Sequence, residues 1–520
     1  MILDLQAAII DWLGSPAAHG GRPVERIDTH SAVVFLAGDR ALKLKRAVRF
    51  DYLDFSTVEL RHAACAAELR LNRRTAPSIY RGVVAVTREA DGSFALGGSG
   101  DPVDWCVDMA RFDQAQLLDR LADRGALDVE TIETLGEAVA RFHHDAGPRR
   151  DHGGSAGMRW VIEGNAAGLA EYGRDRLDQS QCQRLTRDLL GELDRRAALL
   201  DRRRAAGFVR QCHGDLHLRN VVRLAGVPTP FDGVEFNDEI ACIDVAYDLA
   251  FLLMDLWRRD LRAHANALLN VYLARTLDLE ALAVLPLFLS CRAAVRAKTS
   301  ATAARLQPDA GERLALERRA AEYLSLADAL LRRAPAALVA IGGRSGSGKT
   351  TVARGLAPSM PPAPGALVLR SDVVRKQLAG APLLDRLPLE AYSREMSARV
   401  YRALAQRARL ALASEWPVIV DAAFLSAADR AAITTVADEA SVPFAGLWLE
   451  APASVLEARV AARGLDASDA DAAVVRRQMA AETGPIAWAA IDASGGRDAV
   501  VERALARLPA TPLVSRGIST

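Results

Sequence analysis

At 520 residues, half of them apolar and a quarter charged, the chain is too long for one ordinary core and predicts two or three globular domains. Its 66 basic and 65 acidic residues leave a formal charge of +1, which excludes a global field drawing it onto nucleic acid or anionic membrane and leaves only a local basic groove. The six scattered cysteines have no CxxC spacing, the start Met1-Ile2-Leu3-Asp4 lacks basic residues, and the apolar runs are too short for a bilayer; together these predict a cytoplasmic protein with reduced thiols and no membrane partner.

Residues Ile2 to Leu13 carry a helical apolar pattern that ends at Gly14-Ser15-Pro16. Val24 to Lys45 reads as strands, with Ser31 to Leu36 and Ala41 to Lys45 flanking a Gly38-Asp39 turn signal. Lys43 and Lys45 have the same parity and share a strand face. A hairpin ending this way is where a kinase places the lysine that grips the α/β-phosphates. Lys43, deeper in the strand, is the expected residue and Lys45 its substitute; the plain alternative is a solvated strand face. The helical stretch Thr57 to Arg74 offers Glu59 and Glu68, and Glu68 is the expected partner of the strand lysine, against an ordinary surface Glu. Tyr80 to Thr87 and Trp105 to Ala110 predict further strands, with backbone near Val107 to Ala110 as an adenine hinge. This closes a small β-rich lobe at about residue 112.

From Leu117 to Leu331 the periodicity is helical, broken by Cys212-His213-Gly214-Asp215-Leu216-His217-Leu218-Arg219-Asn220 and then Phe231-Asp232-Gly233-Val234-Glu235. An acid, an amide and a second acid arrive in the order that kinase chemistry uses: a base for the attacking hydroxyl, then two metal ligands. Asp215 would be the base, and Asn220 and Asp232 would hold Mg²⁺. A polar loop with a helix cap would explain a lone His-x-Asp, but not the complete ordered set. His213 reads as a holder of the loop rather than a proton carrier. His143 and His144 close the amphipathic stretch Asp128 to His143, in capping or packing roles. Asp248 reads as a helix N-terminal acid. Arg292, Arg296 and Lys298 share a helix face expected to be solvated.

The His213-Gly214-Asp215-Leu216-His217 run with Asn220, Asp232 and Tyr247-Asp248-Leu249-Ala250 resembles the aminoglycoside phosphotransferase family, over residues from about 25 to 330. The resemblance implies an α+β, two-lobed, protein-kinase-like fold, Asp215 as catalytic residue, and Mg²⁺ on Asn220 and Asp232. One departure is the turn Asp28-Thr29-His30-Ser31, which has no glycine, so phosphate contact there would fall to backbone or to the Thr29 or Ser31 hydroxyls. Relatives of this fold phosphorylate choline, sugars and other small alcohols, so the acceptor stays open.

Arg332-Arg333-Ala334-Pro335-Ala336 breaks the helical pattern as a linker, and Ala337 to Ile341 is a short buried-strand run. Gly343-Arg344-Ser345-Gly346-Ser347-Gly348-Lys349-Thr350, followed by Thr351, is a full Walker A loop in its required strand-to-helix context. Converging backbone N–H groups and a helix N-terminus would cradle phosphate, Lys349 would reach the β/γ-phosphates, and Thr350 would ligate Mg²⁺. Leu367 to Leu369 ends in Arg370-Ser371-Asp372, with Arg375 a turn on: Asp372 would take the acceptor proton and Arg375 would hold its anionic part. Val418 to Asp421 ends in an acid suited to Mg²⁺. After the strand Ala445 to Leu449, Arg459 and Arg463 are lid candidates over transferring phosphate.

These residues resemble the P-loop kinase group that includes gluconate kinase, zeta toxins and polynucleotide 5′-kinase. The resemblance implies an α/β P-loop NTPase domain with a parallel sheet over 333–520, after a kinase-like domain over 1–332. The expectation for the whole chain is a bifunctional phosphotransferase using ATP (or GTP) and Mg²⁺ on small-molecule hydroxyl acceptors. One domain regulating the other is the first alternative. Action on nucleic-acid 5′ ends is the second, disfavoured by the balanced charge and the lack of an aromatic–basic patch.

Overall fold

The computed structural model describes residues 2–29, 31–50, 53–462, 464 and 466–508. Contacts divide the chain into two compact units, Met1–Val161 with Leu193–Asp255, and Ile162–Glu192 with Leu256–Thr520. The division therefore does not fall at the expected linker near residue 333.

The first unit is built on a six-stranded antiparallel sheet, in the order Val24–Asp28, Ala32–Ala37, Arg40–Lys45, Asp101–Ala110, Tyr80–Arg88, Phe94–Leu96. Strand alternation sorts the Arg40–Lys45 residues cleanly. Leu42 and Leu44 join a core with Ile9, Leu13 and Phe35 under the N-terminal helix Ile2–Leu13. Ala41 faces the opposite side, in a core with Cys65 of the helix Val58–Asn72. Lys43 and Lys45 share that second face, so both are aimed at the same helix. Thr57 starts it as N-cap, accepting the Leu60 N–H at 3.3 Å. The helical part of the unit includes Val129–Asp145, capped by Asp128, and most of Val245–Arg258.

The second unit contains a five-stranded parallel sheet ordered Leu367–Arg370, Val418–Asp421, Leu338–Gly343, Phe444–Glu450, Ala489–Asp492. Residues of Leu338–Gly343 are all buried, as a central parallel strand covered on both faces requires. Sequence neighbours lie on opposite sides of this strand, which makes its C-terminal end a topological switch point and the natural ligand crevice.

Leu367–Arg370 is an edge strand, and the helix Arg262–Thr276 covers it. Asn270 Oδ1 accepts the Val368 N–H at 2.6 Å, and the side-chain amides of Asn266 and Asn270 donate to the Ala366 carbonyl at 3.0 and 3.2 Å. Further on, Arg333 bridges Glu192 and Glu415, each at 2.7 Å. The helices Leu285–Leu306 and Ala310–Leu331 pack together, and Arg292 is buried rather than solvated as expected. Among the described residues no helix is long and apolar enough to cross a membrane.

Candidate active sites

In the first unit, Lys43 Nζ lies 2.9 Å from Glu68 Oε1 and 2.5 Å from Asp232 Oδ1. Lys45 takes the other Glu68 oxygen and Glu235. The two lysines are not equivalent. Lys45 is 3 % exposed and its partners are equally buried, whereas Lys43 faces an Asp232 side chain that is 43 % exposed. Lys43 therefore stands at the mouth of the site and Lys45 behind it.

Burial opposes charge on both lysines, but Asp232 and Glu68 raise Lys43 well above its ordinary range, and Glu235 and Glu68 raise Lys45. Burial likewise works against the Glu68 carboxylate, yet the two ammonium groups hold its pKa below the usual value. Glu235 goes the other way: burial raises it against the pull of Lys45. Three carboxylates thus face two ammonium groups, an excess of negative charge that a divalent cation at Asp232 would neutralise.

Asp215 sits 41 % exposed, with His217 Nε2 at 3.3 Å. Asn220, on the short 3₁₀ turn Leu218–Asn220, donates its amide to Asp215 Oδ2 at 3.1 Å and to the Asp215 carbonyl at 3.0 Å. Asp215 and the Asn220 amide are therefore held as one piece. Asp232 adopts φ +63°, a left-handed conformation that costs a non-glycine residue about 1 kcal/mol or more. Its N–H donates to Tyr80 Oη at 3.1 Å, and the Gly233 N–H donates to Asn72 Oδ1 at 2.7 Å. Asn72 is one helical turn beyond Glu68, so one helix positions both the lysine's partner and the Asp232–Gly233 turn. His213 Nε2 lies 2.8 Å from the Phe231 carbonyl, tying the Asp215 loop to the residue before Asp232. Burial pushes the imidazole pKa down, so it stays neutral and donates through Nε2.

Asp248 accepts the His213 and Gly214 N–H groups at 3.0 and 2.9 Å, and His143 Nε2 lies 3.1 Å away. The expected helix N-terminal acid thus serves a neighbouring loop. His143, Cys212 and Asp248 come within metal-ligating distance of one another. Burial and Asp248 push the Cys212 thiol pKa up, and Asp248 is engaged by the loop N–H groups.

In the second unit the Walker A loop follows Leu338–Gly343 and opens the helix Lys349–Leu356. Gly346 has φ +84°, and a Cβ there would lie 2.5 Å from the Leu456 carbonyl; the loop can close only on glycine. Thr350 Oγ1 donates to Asp421 Oδ2 at 2.5 Å, joining the two expected Mg²⁺ ligands. Their hard oxygen donors suit that ion, and in the same loop the buried Ser347 hydroxyl has no hydrogen-bond partner. Lys349 Nζ donates to the Arg344 carbonyl at 3.0 Å, and the Ser345 N–H donates to Gln478 Oε1 at 2.7 Å.

Asp372 stands in the first turn of Ser371–Leu378. Burial and the nearby Asp421 carboxylate raise its pKa, while Ser468, Arg370 and Lys349 pull it down. A raised carboxylate suits a general base.

Residues 338–485 match the family profile described as AAA domain (AAA_33). Over 495 residues the chain is 31 % identical to the uncharacterized protein Rv2004c of Mycobacterium tuberculosis (strain ATCC 25618 / H37Rv), covering 92 % of this chain and 94 % of that protein. The chain belongs to the family of this mycobacterial protein. Among solved structures, a choline/ethanolamine kinase family protein from Mesorhizobium loti aligns over 63 % of this chain and 95 % of its own, at 18 % identity and a TM-score of 0.37. A gluconokinase from Sinorhizobium meliloti 1021 aligns over 34 % of this chain and 92 % of its own, at 26 % identity and a TM-score of 0.25. This member of the Rv2004c family joins an α+β unit built on a six-stranded antiparallel sheet to an α/β P-loop fold with a five-stranded parallel sheet.

Several expected site residues are brought together: Lys43 with Glu68 and Asp232, Asp215 with Asn220, and Thr350 with Asp421. Two are placed elsewhere. Arg459, expected over transferring phosphate, donates to the Ala493 and Gly495 carbonyls at 2.8 and 3.0 Å, because its helix Ala453–Ala461 runs beside that loop. Arg375, expected to hold the acceptor's anion, is buried, with Nη1 on the Ala391 carbonyl at 2.8 Å and its guanidinium over the Tyr392 ring. Arg463 lies outside the described residues. Residues missed by sequence reasoning are Asn72, Glu235, Asp255, Arg370 and Gln478. Only Asp255 had a readable signal, an acid seven residues after Asp248 within an apolar helix.

Proposed function

We propose that this member of the Rv2004c family is a bifunctional ATP- and Mg²⁺-dependent phosphotransferase, each site passing the γ-phosphoryl group of a nucleotide to a small-molecule hydroxyl. The observation that carries the reading is that each unit keeps its own base carboxylate beside its own set of metal-ligating residues. Asp215 adjoins Asn220, with Asp232 held nearby through Phe231 and His213; Asp372 feels Asp421, which is bonded to Thr350.

At either site the acceptor oxygen forms a bond to γ-phosphorus as the bond from phosphorus to the bridging oxygen breaks. The hydroxyl proton passes to Asp215 or Asp372, and the nucleoside diphosphate leaves. Mg²⁺ would neutralise charge on the β- and γ-phosphates. Lys43 and Lys349 bind phosphate oxygens and hold the transferring group for attack. The test is an acceptor screen with labelled ATP on the full chain and on Asp215→Ala and Lys349→Ala. Each substitution is expected to abolish a different subset of products; a substitution that leaves all transfer intact removes catalysis from its site.

A second reading makes the first unit a nucleotide-binding regulator. It is favoured by Thr29, whose hydroxyl both donates to the Ala32 carbonyl and accepts its N–H, at 2.9 Å each. One of the groups expected to touch phosphate there, the Thr29 hydroxyl, is thereby spent on closing the turn. Under this reading Asp215→Ala would leave every product in place, while nucleotide titration would still detect two binding sites.

A further inference from the structure

Arg370 ends the edge strand Leu367–Arg370, at the crevice formed by the C-terminal ends of the parallel strands and two residues before Asp372. Its side chain is 11 % exposed, and carboxylates dominate its surroundings. Nε, itself without a hydrogen-bond partner, lies 3.8 Å from Asp421 Oδ2. Nη2 donates to both oxygens of Asp466, at 2.9 and 3.0 Å. The Asp372 carboxylate acts on the same guanidinium.

These carboxylates differ in how firmly they are held. Asp421 lies on a central strand, 6 % exposed and bonded to Thr350. Asp372 is fixed in the first turn of a helix. Asp466 comes from the connection between the helices Ala453–Ala461 and Ala472–Ala480 and is 32 % exposed. Two further residues of that connection lie close by: the Ser468 hydroxyl is near enough to Asp372 to lower its pKa, and Asp469 takes Lys376 Nζ at 3.0 Å and the Tyr392 hydroxyl at 2.6 Å. Asp466 and Ser468 therefore stand beside Arg370 and Asp372, where an acceptor has to bind.

An acceptor that binds at Asp372 and uses Arg370 has to take the place of Asp466 on the guanidinium. Without Asp466, Arg370 keeps the nearby Asp421 and Asp372 charges but loses the carboxylate that accepts its Nη2 hydrogen bonds, a loss the oxygens of another anion make good. An uncharged alcohol offers no such replacement, whereas a carboxylate or phosphate on the acceptor does. We propose that Asp466 is an internal stand-in for an anionic group of the P-loop site's acceptor, and that Arg370 is the residue that selects a hydroxyl compound bearing a carboxylate or phosphate. The inference rests on the P-loop site being a phosphotransferase. It assigns acceptor selection to Arg370, whereas Arg375 is occupied by Ala391 and Tyr392.

The experiment uses the full chain in an Asp215→Ala background, so that only the P-loop site transfers phosphate. The probes are three- to six-carbon sugar acids, the sugar phosphates of the same lengths, and the matching uncharged polyols, each with labelled ATP. Transfer is expected to the anionic members only, and the split between acids and phosphates identifies which anion is used. Asp466→Asn should lower KM for the accepted anion, and Arg370→Gln should raise it at least about ten-fold, the worth of one buried charge-assisted hydrogen bond. Equal use of uncharged polyols, or a KM unmoved by Asp466→Asn, overturns the proposal. Should no probe accept phosphate, sulfate binding to the MgADP-saturated protein decides the matter by thermal shift. Sulfate should stabilise Asp466→Asn more than the parent and Arg370→Gln less; equal shifts in all three overturn the proposal. Failure of the underlying reading is separate: ATP turnover would then survive Lys349→Ala in the same background.

Discussion

Asp248 and Asp255 lie seven residues apart on the helix Val245–Arg258 and grip the two ends of one loop: Asp248 accepts the N–H groups of His213 and Gly214, and Asp255 that of Leu218 at 3.1 Å. Seven residues are two helical turns, so both carboxylates fall on the same face. The loop carrying Asp215 is thereby suspended between them. Both acids are buried in an otherwise apolar stretch, where an unpaired carboxylate would be costly, and the loop N–H groups are what make them tolerable.

Replacing either acid by Ala strands a buried N–H and is expected to cost about 1–3 kcal/mol of stability. Asp255→Asn keeps an acceptor oxygen for Leu218 and should cost much less than Asp255→Ala. Asp248→Asn can answer only one of its two backbone donors, so it should resemble Asp248→Ala more closely. Transfer at the first site should lose kcat in both alanine variants with little change in KM for nucleotide, because Lys43, Glu68 and Asp232 stand apart from the helix. Denaturation midpoints and steady-state kinetics on the four variants check this.

Glu68 and Glu235 share Lys45 but titrate in opposite directions, which separates them by pH. The folded pKa of Glu68 is lowered below 4.5, so its contribution to stability is present above that value and lost as pH falls through the folded pKa. That of Glu235 is raised above 4.5, so its ionisation costs stability as pH climbs from 4.5 through the folded pKa. At neutral pH, Glu68→Gln should therefore be the more damaging change, by about 3–5 kcal/mol for a broken buried pair. Glu235→Gln should flatten the decline above pH 4.5 instead. Urea titrations across the acidic to neutral range distinguish the two slopes.

At the P-loop, Asp421→Asn keeps the geometry around Thr350 but removes a negative charge from the metal side. The Mg²⁺ concentration needed for half-maximal turnover should rise about 10–100-fold. Thr350→Ser keeps the hydroxyl and should change this requirement far less than Thr350→Ala. Mg²⁺ titrations at saturating nucleotide, with Asp215→Ala silencing the other site, provide the readout.

Asn270 is expected to matter for stability although it touches neither nucleotide nor acceptor machinery. Asn270→Leu leaves the Val368 N–H without its acceptor and should cost about 1–3 kcal/mol. Asn270→Asp keeps the acceptor and should cost less. Thermal denaturation followed at the P-loop domain tests the pair.

Those features that a local motif can carry were legible in the sequence. The Asp215–Asn220 run and the Walker A loop are each fixed by backbone within a few residues, so spacing alone predicts which groups converge. Lys43 and Glu68, 25 residues apart, could also be paired, because strand parity and helix position narrow the choice. Glu235 lies 190 residues from Lys45 and Asp466 lies 96 from Arg370, and nothing local links either pair. Arg375 and Arg459 show the converse: a motif predicted their positions, but their long side chains found carbonyl partners supplied by distant loops. Asp248 was read as an acid serving its own helix because the loop it holds approaches only in three dimensions.

The cover that Arg262–Thr276 lays over the strand Leu367–Arg370 bears on how the two halves can be inherited and handled. A chain begun at residue 333 would keep the whole Walker A loop yet bare the Val368 amide and Ala366 carbonyl on a sheet edge. Such an edge invites pairing with another molecule, and the fragment would be expected to clump rather than bind nucleotide. The P-loop portion has thus become a dependent of the helices that precede it. Separating the activities therefore calls for silencing one site by substitution within the intact polypeptide, rather than for cutting the chain.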